Sequence, residues 1–459
     1  MTPAIETTGG LPQPRRAIAI AAVLAAMALV VLDAGMVNVA LPSLTRAFHA
    51  APAEVVPVVS AYQGALLMAL LPCAALGERF GNRRVFQGGV ALFLMGAVLC
   101  ALAPSLPWLV AARFLQGLGG AAVMALGVAL LRASVAEDRL GAAVGWNALA
   151  VALASAAAPA VGAMVVAGLG WPWLFLFSLP TGAAALLAAR SLPRAAATSR
   201  RLDAPGMALN AAVFGLFILT AANLFHAPLT ALCCGALGAA ALVLLVRREA
   251  PKPAPLVPLD LLGDRSFRLS VVASVCVFTG QAAALVALPF YLHHGLGLSP
   301  MAVGLCLSPW PLSVAAASMA AGRLSDRIPT ARLCMVGGAL LAGGLGLTAL
   351  WPLDAGFGAV LGLSALCGVG FGLFQVPNNR NLFLAAPAAR SGAAGGMQGT
   401  ARLTGQVSGA ILMTLLFTAA PPIVAARLGL ALGALFALAG GLVSAYRSFE
   451  KGTPAHAAL

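Results

Sequence analysis

The sequence predicts an all-α polytopic membrane protein, and three observations carry that prediction. Of 459 residues, 61% are hydrophobic and 9% charged, whereas water-soluble domains carry roughly 25% charged residues. Continuous apolar runs of about 20 residues recur from end to end, long enough to cross a bilayer as helices. They are too continuous for the short alternating strands of a spanning β-barrel. The basic residues, all arginine except Lys252 and Lys451, fall in alternate short loops. In a soluble chain the net charge of +14 would suggest nucleic acid. Between apolar spans it reads as a topology signal, so the expected partner is the lipid bilayer and no nucleic acid.

Taken in order, residues 1–16 form a polar, Pro-rich tail. Six spans follow at about 17–41, 55–76, 85–103, 106–131, 139–167 and 171–190. They make a first bundle, 17–190. Two further spans, about 205–225 and 229–247, lie in a middle segment, 191–268. Its loop contains Pro251, Pro253, Pro255 and Pro258 and reads as a linker. The last six spans, about 269–293, 300–321, 332–351, 355–377, 392–418 and 424–446, form a second bundle, 269–446, before a tail at 447–459. With the N-terminus inside, 23 of the 27 basic residues fall on one side. Only Arg46 and Arg427 fall on the other, and Arg113 and Arg402 lie within spans. Both termini are therefore expected in the cytoplasm, with the spans in the cell's inner membrane.

Ordinary enzyme chemistry has no place in such a chain. No soluble domain is expected, and no His, Asp, Glu or Cys converge at one depth. The eight cysteines sit singly or as one pair inside apolar helices and read as core residues, with no metal spacing or disulfide framework. No Gly-rich phosphate loop ending in Lys-Ser or Lys-Thr occurs. No catalytic residue, metal or cofactor is expected, and the energy source must be an ion gradient.

Asp33 is the residue around which the others sort. It stands about nine residues, roughly 13 Å, before the helix breaker Pro42 and is the one acid expected at membrane depth. An ionisable group there is expensive and is by default a functional candidate. Loss of water disfavours a charged carboxylate, so such a group can take a proton from one side, cross neutral and release it on the other. Arg113, roughly 9 Å deep in the fourth span, is its natural partner; direct pairing and pairing through water both stay open. Arg113, Gln116, Gly117 and Gly120 fall at i, i+3, i+4 and i+7, a stripe expected to face the bundle interior. Arg402 has no acid in the last six spans to neutralise it. It either snorkels to the interface or faces an interior cavity. Asn38, Tyr62, Gln116, Trp146, Trp310 and Phe374 are further cavity candidates, since aromatic faces suit lipophilic cations. Taken singly, each aromatic residue reads first as a packing or interfacial residue. His293-His294 read as an exposed interfacial pair, and Pro72, Pro159, Pro180, Pro289, Pro309 and Pro377 as bend points.

An internal repeat is present. Glu78-Arg79-Phe80-Gly81-Asn82-Arg83-Arg84 follows the second span, and Asp326-Arg327-Ile328-Pro329-Thr330-Ala331-Arg332 follows the second span of the last six. Each reads acid, Arg, apolar, breaker, polar, variable, Arg. Two six-span halves of one orientation, with two spans between, form the parallel-repeat plan of a large transporter class.

These residues together resemble the major facilitator superfamily, in its 14-helix drug:proton antiporter branch. Leu32-Asp33 through Asn38-Val39-Ala40-Leu41-Pro42 resembles the branch's first-helix signature. Gly77 to Arg84 resembles the loop motif between helices 2 and 3, with Glu78 for the usual Asp and Ala74 where Gly is common. Arg113-Phe114-Leu115-Gln116-Gly117-Leu118-Gly119 resembles the fourth-helix motif. The fifth-helix antiporter motif survives in part around Pro159 and Gly162, with Ala replacing two glycines, and Trp171-Pro172-Trp173 resembles the sixth-helix pattern. The resemblance implies a fold of two six-helix bundles plus two extra helices. It also implies export of small molecules by alternating access, driven by inward proton flow with Asp33 as carrier. The first loop (Gly77, Glu78, Arg79, Gly81, Arg83, Arg84) would lock the cytoplasmic side, with Asp326 and Arg327 as its counterpart. Lipophilic cationic or neutral drugs, dyes and biocides are the expected substrates of a monomer; a dedicated exporter of an endogenous metabolite or lipid-like product is the alternative.

Overall fold

The computed structural model describes residues 11–194, 202–252, 255, 257–352, 358–387 and 390–450. Residues 1–10 and 451–459 of the expected tails, with Arg200, Arg201, Pro253 and Lys451, lie outside the described residues. The first half comprises α1 (Arg15–Phe48), α2 (Pro52–Val55), α3 (Pro57–Phe80), α4 (Asn82–Ala101), α5 (Leu106–Ser134), α6 (Glu137–Gly168), α7 (Pro172–Leu176) and α8 (Ser178–Ala188). A hairpin of α9 (Ala204–Asn223) and α10 (Pro228–Glu249) follows. The second half holds α11 (Arg265–Phe290), α12 (Pro300–Leu307), α13 (Pro309–Leu324), α14 (Thr330–Leu350), α15 (Gly358–Ala385), α16 (Ser391–Ala419) and α17 (Pro422–Glu450).

Among the described residues, 13 helical segments are long and apolar enough to cross a membrane. The one expected span not among them is the thirteenth, α16, which has 29 residues, but Gln398, Arg402 and Gln406 interrupt its apolar content. The repeat seen in the loops is also a repeat in packing. In the first half α1 packs on α6 and α8, and α5 on both α3 and α4. In the second, α11 packs on α16 and α17, and α15 on both α13 and α14.

One expected boundary is corrected. Pro42 does not end the first span: α1 runs through it to Phe48, because losing one backbone N–H is tolerated in an apolar setting. It closes only at His49, in the left-handed region at φ 50°. Asp33 is therefore 15 residues, about 22 Å, from that helix end rather than 13 Å. The sixth and tenth spans stand as expected: Pro172–Ser191 and Pro300–Leu324 each run as one segment, with Phe177 and Ser308 at the α7/α8 and α12/α13 joints keeping right-handed helical dihedrals. Finally, the middle linker carries a short 3-10 turn, Leu259–Gly263, and the Asp264 side chain caps α11 by accepting from the Phe267 N–H at 2.7 Å.

Loop charges read as topology signals are in part also structural. Asp203, before α9, pairs with Arg248 at 2.9 Å and with Lys252, which also bonds Glu249. This clamps the basic end of the α9–α10 hairpin. Burial alone would raise the Asp203 carboxyl, but hydrogen bonds from Lys252 and Arg248 outweigh it and hold the group below the usual carboxylate range. Burial likewise opposes the Lys252 charge, and its hydrogen bonds to Asp203 and Glu249 raise the ammonium above its ordinary range.

The two halves share one buried cluster at the end away from the basic loops. There Met36, Val39 and Ala163 join Leu288, Val303 and Leu307. Gly304 makes this contact possible: a Cβ there would stand 2.3 Å from Ala163 Cβ and 2.8 Å from the Pro159 carbonyl oxygen. Toward the basic end the clusters part. One is built from first-half residues with only Leu403 and Val407 of α16, and another, with Leu261, Phe267, Leu382 and Met397, stays within the second half and its preceding linker.

Candidate functional site

Asp33 lies near the middle of α1 and is 1% exposed, as is Arg113 on α5. The pairing left open by the sequence is direct. Arg113 Nη1 donates to Asp33 Oδ2 at 2.5 Å, and Gln116 Nε2 donates to Asp33 Oδ1 at 3.0 Å. Both carboxylate oxygens are thus taken. Arg113 Nη1 also donates to Gln116 Oε1 at 2.6 Å, and its Nε donates to the Val58 carbonyl at 3.3 Å. The guanidinium carbon stands 4.1 Å from the Tyr62 ring centroid and 5.6 Å from that of Phe175, both within cation–π range.

Local sequence explains this assembly. The α5 stripe of Arg113, Gln116, Gly117 and Gly120 is buried, as expected. A Cβ on Gly117 would lie 2.4 Å from the Tyr62 carbonyl oxygen. The glycine therefore lets α3 approach closely enough to lay Tyr62 on the guanidinium. The Tyr62 hydroxyl in turn donates to the Val30 carbonyl of α1 at 3.2 Å. One cation thus links α1, α3 and α5. Such a pair adds little net stability, yet breaking it by removing one partner strands a buried charge at about 3–5 kcal/mol. Tyr62, Val58 and Gln116 hold the arginine by contacts of their own, apart from its tie to Asp33.

The remaining candidates are not gathered at this cluster. Asn38, on α1, donates to the Ala34 carbonyl at 3.3 Å, and its Oδ1 is buried without a partner. Trp310 and Phe374 are buried within the second half, and Trp310 Nε1 has no partner. Trp146 is 61% exposed on α6. Gly162 packs on α1, where a Cβ would meet the Met36 backbone at 3.0 Å, and Pro159 lies against Gly304 of α12. At the basic end, Gly81 joins α3 to α4 at φ 92°, a conformation that favours glycine. Gly77 is buried, while Glu78, Arg79 and Arg84 are exposed and Arg83 Nη1 donates to the Leu192 carbonyl at 3.2 Å. Asp326 pairs with Arg380 at 2.7 Å, and Arg327 is exposed.

Sequence reasoning missed a second polar network. Arg447, counted as a loop charge, is 5% exposed and bonds Ser270. Asn381 donates to Ser266 at 3.0 Å and Ser270 at 2.8 Å, and Asn378 to Ser274 at 2.7 Å. The signal was present: Ser266, Ser270 and Ser274 repeat at i, i+4, i+8 along one face. A cavity of about 380 Å³ lies elsewhere, between α3, the α9–α10 hairpin and α16. Its lining includes Phe214, Leu242 and Thr404 but no member of the Asp33 network.

A chain of apolar spanning helices, repeated in packing and with a buried ion pair at membrane depth, is a polytopic helical membrane protein on the two-half plan of a transporter class. The model described as Major Facilitator Superfamily matches residues 23–410, and the chain belongs to that family. It is 41% identical over 412 residues to the uncharacterized transporter YebQ of Escherichia coli (strain K12), covering 89% of this chain and 90% of YebQ. It is 30% identical over 394 residues to the multidrug resistance protein Stp of Mycobacterium tuberculosis (strain ATCC 25618 / H37Rv), covering 83% of this chain and 72% of Stp. A crystal structure of a POT family transporter in complex with a thioalcohol-conjugated peptide superposes with a TM-score of 0.73. It has 15% identity, covering 95% of this chain and 97% of that one, and shares the fold.

Proposed function

We propose that this transporter is a proton-coupled antiporter that exports small lipophilic molecules by alternating access, with both termini in the cytoplasm and the spans in the inner membrane. The observation that carries the proposal is the closed triangle of Asp33, Arg113 and Gln116 at mid-membrane. A carboxylate whose oxygens are both occupied by one cation and one amide has two distinct states. Ionised, it ties α1 to α5; protonated, it releases that tie. The same α1 carries Gly35 and Met36 against Ala158 and Gly162 of α6. The α6 helix meets α12 of the other half through Ala163, Pro159 and Gly304. A proton on Asp33 therefore acts on the contact that closes the end away from the basic loops, and a ligand or proton can shift a two-state equilibrium only through such a difference. Resemblance to drug-efflux relatives supports export as the direction. Cationic substrates gain less support than neutral ones, since Asp33 is already neutralised by Arg113.

The test is accumulation of a fluorescent probe in proteoliposomes under an imposed pH gradient, a sodium gradient or none. The proposal expects movement with the pH gradient alone, and loss of that movement in Asp33→Asn. Movement driven equally by sodium, or unaffected by the substitution, would reject it.

A further inference from the structure

The second half carries an arginine at membrane depth that nothing neutralises. Arg402 stands 11 residues, about 17 Å, into α16 from its basic end. Among the described residues it has no ion pair and no hydrogen-bond partner, and its Nε is covered from solvent. A guanidinium left so within a membrane protein is costly and demands a reason.

Its direction follows from the neighbours of α16, reading about 100° of rotation per residue. Thr404 and Ile411 line the cavity against the α9–α10 hairpin and lie roughly 160–180° from Arg402. Gly405 and Gly409 seat on α11, where a Cβ would stand 2.6 Å from Phe278 Cβ and 2.5 Å from the Thr279 oxygen; they lie about 20–60° to one side. Gly399 and Gly396 face Leu70 and Leu71 of α3, about 60–120° to the other side. Arg402 therefore points between the α11 and α3 seams, toward the junction of the two halves and away from the hairpin. Snorkelling into lipid along α16 does not fit this direction. Gln398 and Gln406 flank it in the same sector. On α3, which runs antiparallel to α16, Gln63 stands level with Gln406, and its Oε1 is also buried without a partner.

Asp33, the acid of the first half at membrane depth, has both carboxylate oxygens bonded within its own half. The junction between the α11 and α3 seams thus holds an arginine with no ion pair among the described residues, flanked by two glutamines. We propose that Arg402 is the substrate-recognition residue and that it selects small, largely apolar molecules bearing a carboxylate. A guanidinium presents paired N–H donors that match a carboxylate bidentately, and Gln398 and Gln406 add neutral donors and acceptors beside it. This rests on the exporter reading above, and it narrows the substrate from any lipophile to organic acids and zwitterions.

The test uses the full chain and a matched probe pair, fluorescent norfloxacin and its methyl ester, which differ in the carboxylate. Binding is read by fluorescence titration of the purified protein, and transport in proteoliposomes under a pH gradient. Wild type should bind the acid on the order of tenfold more tightly than the ester, the scale of a hydrogen bond to a charged group. Arg402→Gln should erase that preference, and Arg402→Lys should keep part of it. Thermal unfolding of the purified protein in detergent is the control for folding in each variant. If the acid binds in an Arg402-dependent way but neither probe follows the pH gradient, recognition stands and the antiporter reading falls. Acid and ester bound equally by wild type, acid left unbound, or a preference that survives in Arg402→Gln would each overturn the proposal.

Discussion

The molecule holds two arginines at membrane depth, one in each half, and they are built in opposite ways. Arg113 is enclosed: a carboxylate, an amide, a backbone carbonyl and two aromatic faces surround it. Arg402 is left open, with two glutamines on its face and, among the described residues, no ion pair. In the proposed reading the Asp33 carboxylate beside the enclosed Arg113 takes the proton, whereas Arg402 stays charged and is open to a ligand. On that reading energy coupling falls to the first half and substrate recognition to the second.

Removing the cations one at a time should expose this asymmetry most strongly. Arg113→Ala strands the Asp33 carboxylate and should cost about 3–5 kcal/mol of stability, read as thermal unfolding in detergent, together with gradient-driven transport. Asp33→Asn with Arg113→Gln should restore much of the stability and none of the transport. Next in size, Gly304→Val places side-chain atoms where Ala163 and Pro159 already stand. It should shift the halves apart at the end away from the basic loops, seen as a longer distance between spin labels on α6 and α12. A distance unchanged from wild type would mean that this contact is not the closing surface.

Arg402→Met should be neutral or stabilising by about 1 kcal/mol, since it deletes a charge that no protein group repays. A loss as large as that of Arg113→Ala would show that Arg402 has an internal partner after all, and would end the comparison. The smallest effect belongs to the hairpin clamp. Asp203→Asn should loosen α9–α10 by about 1 kcal/mol, the scale of a partly exposed pair. Because the Asp203 carboxyl is held below its ordinary range, its contribution is complete above about pH 4. It fades as the pH falls through the lowered value. The Lys252 ammonium is held above its range, so its share is complete up to about pH 10 and fades only above that. Wild type and Asp203→Asn should therefore converge in unfolding temperature under strong acid.

Much of this was legible in the sequence, because membrane helices announce themselves by composition. The spans, the repeat and the buried stripe on α5 all follow from runs, spacing and charge. Pro42 misled, because a proline is a breaker in water but only a lost hydrogen bond within an apolar bundle. The loop arginines misled in part: Arg447 counted as a topology signal, yet tertiary packing draws it into a buried network with Ser270. Aromatic residues carried too little information, since buried Trp310 and exposed Trp146 look alike in one dimension. The cage of Val58 and Phe175 around Arg113 has no sequence mark at all, being made by a backbone carbonyl and a residue from a distant helix.

The central claim is that the Asp33 proton, rather than the site as a whole, transmits the gradient. Probe exchange at equal pH on both sides, compared with uphill transport under a pH gradient, tests it most directly in Asp33→Asn proteoliposomes. The amide mimics the protonated acid, so exchange should continue while uphill transport disappears. Uphill transport that persists in Asp33→Asn would contradict the account, and would place the coupling proton elsewhere in the chain.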